Sequence, residues 1–356
     1  AAPFVASPTS SLVATGSVSS LIELDGSKLE GGGQVLRNGM AYAALLGKPI
    51  RVIKIRAGRE KGGLRPQHLC GIKLIQSMTG GVLTGGAVDS MQIEYTPAEA
   101  ALIRSANFTA DTGTAGSVCL LIQIALPVVL FFPFPTKITL KGGTNAIQAP
   151  LVDYTSDLFC PTFEKHFGVK IDLKLVRRGF FPRGGGVVEV SVPEPVRSHH
   201  AHILTANQHR GSIVSITGLA LVSGRLKISI ADRMGKAATT VLKYVWAFSL
   251  CFLTAQRLQA LQKEELPRGT RIDIALIVAG CCLLLIATTS TGCLLGASAV
   301  GEKGGSDQAH FIPGTPAESV GTNVAKKLLE EIHHGGCVDE YLQDQLIIFM
   351  ALANGR

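Results

Sequence analysis

The chain has 356 residues, of which 46% are hydrophobic and 17% are charged, and its formal net charge is +8. This length holds about two domains with real hydrophobic cores, and the composition excludes a chain that is disordered throughout. The basic balance favours an anionic partner such as a nucleic acid or a nucleotide, but the charge is spread along the chain, so the indication is general. The eight cysteines form no CxxC pair, which is typical of buried, reduced thiols in an intracellular protein.

The first segment, residues 1–20, is small, serine-rich and uncharged. It lacks the basic start of a signal peptide and the arginines of a transit peptide, so we predict a disordered tail. From Ile22 onward, strand-like and helix-like patterns alternate. This alternation predicts an α/β or α+β protein.

Two stretches of the chain follow the same order of elements. Residues 31–58 read as a glycine-rich turn, an apolar helix, a Gly/Pro turn and a strand, and residues 114–143 repeat that order. A third copy begins at Gly335 with a turn and a helix, and the chain ends at 356 before its strand. We therefore predict a large domain of repeated units, residues 21–210 plus 334–356, whose third unit is incomplete.

Residues 211–333 predict a smaller inserted α/β domain. Its predicted elements are a strand at 212–222, a helical segment at about 226–262, an apolar strand pair at 272–300 and a helix at about 318–333. The uncharged run at 274–300 exceeds the roughly 20 residues of a membrane-spanning helix. However, the sequence TTSTG interrupts the run and no basic cluster flanks it. We therefore predict two buried strands and no membrane partner.

The motif DGSKLEGGGQVLR, residues 25–37, combines an acid, three consecutive glycines and an arginine at the start of a helix. Glycines let backbone N–H groups approach phosphates, and a helix N-terminus favours anions. Glu30 could assist a metal ion and Arg37 could hold a phosphate. An ordinary helix-entry turn explains the three glycines equally well.

A basic, glycine-rich stretch follows at residues 54–68, KIRAGREKGGLRPQH. Its cations are placed on the end of a predicted strand and on a loop, which suits a phosphate backbone; they are Lys54, Arg56, Arg59, Lys61 and Arg65. A solvated basic loop is an equally good interpretation, and without aromatic residues base stacking is not indicated. A separate group of histidines lacks Cys or acidic partners at ligand spacing, so we predict no dedicated metal cluster there; they are His199, His200, His202 and His209.

Six segments in order resemble the RNA 3′-terminal phosphate cyclase family, and among its branches they are most similar to the true cyclases of animals. They are DGSKLEGGGQVLR, IRAGREKGGLRPQHL, DTGTAGSVCLLIQ, LKGGTNAIQAP, RRGFFPRGGGVV and HGGCVDEYLQDQLIIFMALANG. The resemblance covers residues 23–356. It implies an α+β fold, in which a large domain of repeated α/β units, similar to the C-terminal domain of translation initiation factor three, carries a smaller inserted α/β domain.

The resemblance also implies an activity. ATP would adenylylate an enzyme histidine, AMP would pass to an RNA 3′-phosphate, and the vicinal 2′-OH would then attack, leaving a 2′,3′-cyclic phosphate and AMP. Such nucleophilic catalysis converts a poor phosphate electrophile into one with a good leaving group, and Mg²⁺ would neutralise the triphosphate. The implied cofactors are ATP and Mg²⁺, the partner is RNA with a 3′-phosphate end, and the location is the nucleus or the cytoplasm.

Individual residues acquire roles from the matching motifs. The implied ATP-binding residues are Gln123, Pro150, Tyr341, Asp344 and Gln345. The implied metal-binding or phosphate-binding residues are Glu30, Arg37, Arg56 and Gln67, with Asn145 as a weaker candidate.

The family's nucleophilic histidine lies beyond the segment that matches residues 338–352, whereas this sequence ends at Arg356. No other histidine matches that motif, so no catalytic residue is nominated and we expect the chain as written not to adenylylate itself. The alternative is a non-catalytic, cyclase-like RNA-binding factor in ribosome assembly. The missing histidine favours this alternative, whereas the retained ATP-site set favours the enzyme; its members are Glu30, Gln123, Tyr341, Asp344 and Gln345.

Overall fold

The computed structural model describes residues 20–28, 32–98, 106–194, 209–223, 226–247, 258–260, 280–301 and 317–352. The predicted tail at 1–19, Glu30, the three histidines between 195 and 208, and the end of the chain at 353–356 lie outside the described residues. Helices and strands both contribute extensively, and the strands form three separate four-stranded sheets. The α+β prediction is confirmed.

The first sheet belongs to a βαβαββ unit that spans the first predicted repeat. Its elements are β1 (Ile22–Asp25), α1 (Gln34–Leu46), β2 (Ile50–Ile53), α2 (Pro66–Thr79), β3 (Val82–Thr84) and β4 (Ile93–Thr96). The strand order is β1-β2-β4-β3. β1 and β2 are parallel, and β4 is antiparallel to both of its neighbours.

The second sheet has the same topology. Its strands are β5 (Asn107–Asp111), β6 (Thr136–Gly142), β7 (Asp172–Arg177) and β8 (Gly186–Val192), in the order β5-β6-β8-β7. The helical segments are α3 (Val118–Val129), α4 (Val152–Tyr154), a π-helical turn (Thr155–Phe159) and α5 (Cys160–Phe167). The repeated unit is therefore longer than the turn, helix and strand recognised in the sequence, because three further strands complete each sheet.

Helices α1, α2 and α3 pack against one another and bury Met40, Ile72 and Leu121, which are at most 1% exposed. α3 is apolar on nearly all sides, because it also contacts β6, β8 and a later helix, α8 (Glu340–Leu352). A helix that is hydrophobic all round is expected where every side is covered. This packing brings the starts of α1, α2 and α3 to one place.

The third sheet has the order β10-β9-β11-β12. Its strands are β9 (Ile213–Val222), β10 (Leu258–Ala260), β11 (Cys281–Thr289) and β12 (Leu294–Gly301), and its helices are α6 (Ser229–Ala247) and α7 (Ala317–His334). The predicted helix reaching residue 262 is wrong at β10, which pairs in parallel with β9. Pairing with a strand edge overrides helix propensity, which is a weak preference.

Strand β11 is covered on both faces. Leu283 and Leu285 belong to the core under α6 and α7, whereas Cys282 and Leu284 belong to the core shared with the two repeat units. A strand that is buried on both faces has no reason to alternate with polar residues. From Cys281 onward the uncharged run thus forms two paired strands, β11 and β12, and across the described part of the chain no helix is long and apolar enough to cross a membrane.

Candidate functional site

A crevice opens where helices α1, α2 and α3 begin. Arg37 lines it from α1, Gln67 and His68 from α2, and Leu120 and Ile124 from α3. The N–H groups of a first helical turn have no partner within the helix, and the helix dipole places partial positive charge at that end. The N–H groups of His68 and Val118 already donate to the carbonyl oxygens of Arg65 and Gly143, so the positive charge of Arg37 and the helix dipoles are what favour an anion at this small crevice.

The guanidinium of Arg37 has no hydrogen bond or ion pair with any residue that the structure describes. Burial lowers the pKa of Arg37 to about 10, and the attraction of Asp344 on α8 opposes that shift. A desolvated cation without a hydrogen-bonded partner is unfavourable. An anionic ligand in the crevice would remove this cost.

Gln67 connects the starts of two helices. Its Oε1 accepts a hydrogen bond from the backbone N–H of Ser117, the N-cap of α3, at 2.9 Å. Gly116 permits this approach, because a Cβ at that position would lie 2.7 Å from the Cβ of Gln67. The Nε2 group of the same amide makes no hydrogen bond within the described ranges, so it remains available to a ligand beside Arg37.

The basic stretch after β2 is a tight turn. The prediction that Lys54 and Arg56 continue the strand is wrong, because β2 ends at Ile53 and both residues have left-handed φ values of 50° and 54°. Between them, Ile55 is 1% exposed and its N–H donates to the carbonyl oxygen of Met91 at 2.9 Å. The chain turns at this point because the side chain of Ile55 packs into the core, while its two neighbours adopt left-handed backbone conformations.

Arg56 holds the basic turn closed. Its Nη1 donates to the carbonyl oxygens of Lys61 at 2.9 Å and Gly63 at 3.2 Å. Its positive charge still acts on the crevice, because Arg56, together with Arg37 and Arg65, lowers the pKa of His68. Arg56 therefore supports the site through the turn and through its electrostatic field.

Helix α8 forms the other side of the predicted site. Asp344 is exposed and electrostatically coupled to Arg37. Three residues earlier, and so on the same helix face, the ring of Tyr341 meets the ring of Tyr154 edge-on at a centroid distance of 6.3 Å. Pro150 is half-buried and lies two residues before α4. The structure thus connects the crevice through α8 to the segment that follows Pro150.

Three further residues nominated from the motifs do not line the crevice. Gln123 is half-buried on α3, three residues after Leu120. Gln345 is 6% exposed and its amide donates to the carbonyl oxygen of Tyr341 at 3.0 Å. Asn145 is fully buried and donates to the carboxylate of Asp153 at 3.4 Å. The observed hydrogen bonds of Gln345 and Asn145 are internal to the protein.

The sequence analysis missed Asp339, which fixes the position of α8. Its carboxylate accepts hydrogen bonds from the Tyr154 hydroxyl at 2.6 Å and from the Gly296 N–H at 2.7 Å. It also accepts from the N–H groups of Tyr341 at 3.0 Å and Leu342 at 2.9 Å, which caps the helix. An aspartate directly before a helix is an N-cap signal, but only the fold shows the bonds to the second and third sheets' segments.

A buried ion pair, also missed, supports the segment between β6 and β7. Arg178 donates to both carboxylate oxygens of Asp153, at 2.7 and 2.8 Å, and the two side chains are only 10% and 9% exposed. Such two-pronged pairs are strongly directional. Together with Asn145, this pair connects α4 to the glycine-rich turn after β7.

Few of the described side chains near the crevice could bind a metal ion. No group of three or more His, Cys, Asp or Glu residues suited to a metal ion occurs in the described ranges, and Glu30 lies outside them. The exposed carboxylate of Asp344 is the acid that is coupled to Arg37. Mg²⁺ commonly binds through one or two carboxylates together with substrate phosphates and water, so this donor set fits a Mg²⁺ ion that arrives with a triphosphate.

The fold and the crevice define an α+β protein of βαβαββ units with a cationic site where three helices begin. Comparison with known proteins identifies its family. The sequence model that matches residues 28–356 is that of RNA 3′-terminal phosphate cyclase. The chain belongs to the RNA 3′-terminal phosphate cyclase family.

Individual relatives agree with this assignment. The chain is 37% identical to an RNA 3′-terminal phosphate cyclase of Drosophila melanogaster over 94% of its own length and 84% of the relative. It is 37% identical to a probable RNA 3′-terminal phosphate cyclase of Dictyostelium discoideum, covering 71% of that protein. It is 34% identical to an RNA 3′-terminal phosphate cyclase of Pyrobaculum aerophilum, covering 86% of that protein.

Proposed function

We propose that this protein is a cyclase of the kind that converts an RNA 3′-phosphate into a 2′,3′-cyclic phosphate in an ATP-dependent reaction, and that the chain as written, in which no histidine matches the family's nucleophile, binds ATP without adenylylating itself. The observation that carries the proposal beyond family membership is the state of Arg37. Its guanidinium is desolvated, has no described partner and faces a crevice at three helix starts. A triphosphate supplies the anionic oxygens that such a site requires.

The proposed roles of the residues follow from their positions. Arg37 and the Nε2 group of Gln67 bind phosphate oxygens in the crevice, and Arg56 maintains the basic turn beside it. Tyr341 and Asp344, on the exposed face of α8, contact the nucleoside. Gln123 and Pro150 complete that contact, and Mg²⁺, when bound, would neutralise charge on the phosphates.

The chemistry requires activation of the RNA end. In the reaction that the family resemblance implies, an oxygen of the RNA 3′-phosphate would attack the phosphorus of a histidine-bound AMP, the P–N bond would break, and the histidine would leave as the free imidazole. The 2′-oxygen then attacks the terminal RNA phosphorus, the bond to AMP breaks, and the hydroxyl proton passes to solvent. Since AMP leaves readily, the cyclic ester can form at neutral pH. Arg37 and Gln67 would stabilise charge on the transferring phosphoryl oxygens.

The basic turn after β2 provides a surface for the RNA. Arg59 and Lys61 extend from this turn, which also holds Arg56 and Arg65 around the crevice. Cations of this kind contact phosphates without reading sequence, so binding should weaken as salt is added. We also propose a nuclear location, in keeping with an RNA-processing role.

ATP titration calorimetry with Mg²⁺ tests the proposed site, and incubation with radiolabelled ATP tests the expected lack of self-adenylylation, which a covalent adduct on the protein would refute. Arg37→Ala should weaken ATP binding at least 10-fold, because a charge-assisted hydrogen bond is lost. Lys73→Ala, which removes an exposed cation from α2 outside the crevice, should bind ATP normally. Unchanged ATP binding by Arg37→Ala would refute the assigned site. Salt-sensitive RNA binding without any ATP binding would instead favour the non-catalytic RNA-binding factor.

A further inference from the structure

His68, which received no role from the sequence, has its protonation state set by the start of helix α2. It is the third residue of that helix, and its Nδ1 accepts a hydrogen bond from the backbone N–H of Arg65, the N-cap, at 3.2 Å. A ring nitrogen that accepts a hydrogen bond carries no proton. In the neutral imidazole the proton is therefore on Nε2.

The Nε2 side of His68 faces the first turn of α1. A Cβ placed on Gly33 would lie 2.5 Å from Nε2 of His68 and 3.1 Å from Nη1 of Arg37. Glycine at this N-cap therefore leaves both groups uncovered, side by side, at the edge of the crevice. Among the described residues, Nε2 has no hydrogen-bond partner.

The surroundings keep His68 uncharged. Burial lowers its pKa most, and the positive charges of Arg56, Arg37 and Arg65 lower it further, to about 4. Since this value lies well below neutral pH, the imidazole is a neutral group with a fixed tautomer. It can donate one hydrogen bond from Nε2 without adding a further positive charge to a crowded cationic site.

We propose that His68 is an anion-binding residue, whose Nε2–H and the guanidinium of Arg37 bind the same phosphate oxyanion in the crevice. The proposal rests on the proposed function, and it names a ligand group within that site. One imidazole then has two tasks: Nδ1 caps helix α2 and Nε2 holds the ligand. A purely structural histidine would perform only the first.

Two substitutions of His68 isolate the distal donor. Asparagine places an acceptor near the Nδ1 position, so His68→Asn keeps the cap but loses the distal donor. Glutamine reaches the Nε2 position, and at this third helical position its oxygen can accept from the N-cap N–H, so His68→Gln keeps both the cap and a distal donor. A third variant, Gly33→Ala, keeps the histidine but places a methyl group 2.5 Å from Nε2, so the ring must shift away from Arg37; the backbone of Gly33, at φ −80° and ψ −4°, accepts alanine.

The measurements are ATP affinity by calorimetry with Mg²⁺ and stability by urea unfolding, with His166→Asn, at a buried histidine on α5 outside the crevice, as the control. His68→Asn and Gly33→Ala should weaken ATP binding about 10- to 100-fold, the value of one charge-assisted hydrogen bond. His68→Gln should bind within about 5-fold of wild type and unfold at a urea concentration close to that of wild type. The control should bind ATP as wild type does.

The outcomes distinguish this inference from the proposed function. If His68→Asn and Gly33→Ala bind ATP as tightly as wild type while Arg37→Ala does not, the role of His68 is refuted and the ATP site stands. If binding falls in His68→Gln as strongly as in His68→Asn, the histidine acts only through the fold. If wild type binds no ATP, the proposed function fails. In that case, inorganic phosphate is titrated while the His68 ring nitrogens are followed by NMR. If the Nε2 signal does not shift, the anion site is refuted as well.

Discussion

The carboxylate of Asp339 should contribute more to stability than any other acid at the start of α8, and its removal can be predicted quantitatively. Asp339 is 1% exposed and accepts four hydrogen bonds from three parts of the chain. Asp339→Ala leaves the hydroxyl of Tyr154 and the N–H of Gly296 without their acceptor inside the protein, and it removes the helix cap. Two unsatisfied buried donors and one lost cap should cost about 3–5 kcal/mol.

Asp339→Asn should be less damaging. Burial raises the pKa of Asp339, which shows that desolvation offsets part of the benefit of the charged form. Asparagine avoids that desolvation and keeps one acceptor oxygen, but its amide nitrogen must meet a donor. We expect a loss of about 1–2 kcal/mol. Asp344→Asn, on the same helix but exposed, is the matched control and should change stability by at most about 0.5 kcal/mol.

Urea unfolding followed by circular dichroism measures these differences, and hydrogen exchange locates them. In Asp339→Ala the amides of Tyr341, Leu342 and Gly296 should exchange faster, because each lies at the lost acceptor. A loss below about 1 kcal/mol for Asp339→Ala, or equal losses for the alanine variant and Asp344→Asn, would refute the reasoning. ATP affinity of the alanine variant should fall as well, because Tyr341 loses its fixed position.

Three further predictions follow from buried groups. The pKa of His68 is 6.5 in the unfolded chain and about 4 in the fold, so as the pH falls the unfolded state binds a proton before the folded state does. Between pH 6.5 and pH 4 the free energy of unfolding of wild type should therefore fall by about 3 kcal/mol. His68→Asn should not show this loss. Arg178→Met strands the buried Asp153 carboxylate and should cost about 3–5 kcal/mol in urea unfolding, most of which Asp153→Asn restores in the double variant. Gly321→Ala places a Cβ 2.1 Å from a carbonyl oxygen of α6 and should lower Tm more than Gly335→Ala, whose strain comes only from its φ of 78°.

Each of these predictions has an outcome that would contradict it. Equal acid sensitivity of wild type and His68→Asn would mean that His68 is protonated in the fold near its ordinary pKa. A double variant no more stable than Arg178→Met would show that the cost comes from lost packing and not from the stranded charge. Equal Tm values for the two glycine variants would show that α6 and α7 separate without difficulty.

Local patterns in the sequence were sufficient for most of the elements. The apolar periodicity predicted α1 and α3, the strand pair at β11 and β12, and helix α7, because the burial of a helix or strand face depends on residues a few positions apart. The same patterns failed for the turn at Lys54 and Arg56 and for β10. There the deciding contacts, with Met91 and with β9, come from distant parts of the chain.

The sequence by itself determined which chemistry is present: the glycines before α1, the arginines of the basic turn and the polar residues of α8 are all visible in its motifs. Only the tertiary structure decided which of them meet. Arg37, Gln67 and the start of α3 converge because three helices pack around a common core, and His68 gains its role from Gly33, which lies 35 positions before it in the sequence. Motifs record residue types along a chain, whereas burial, a fixed tautomer and a guanidinium with no hydrogen bond to any described residue are properties of neighbours in space.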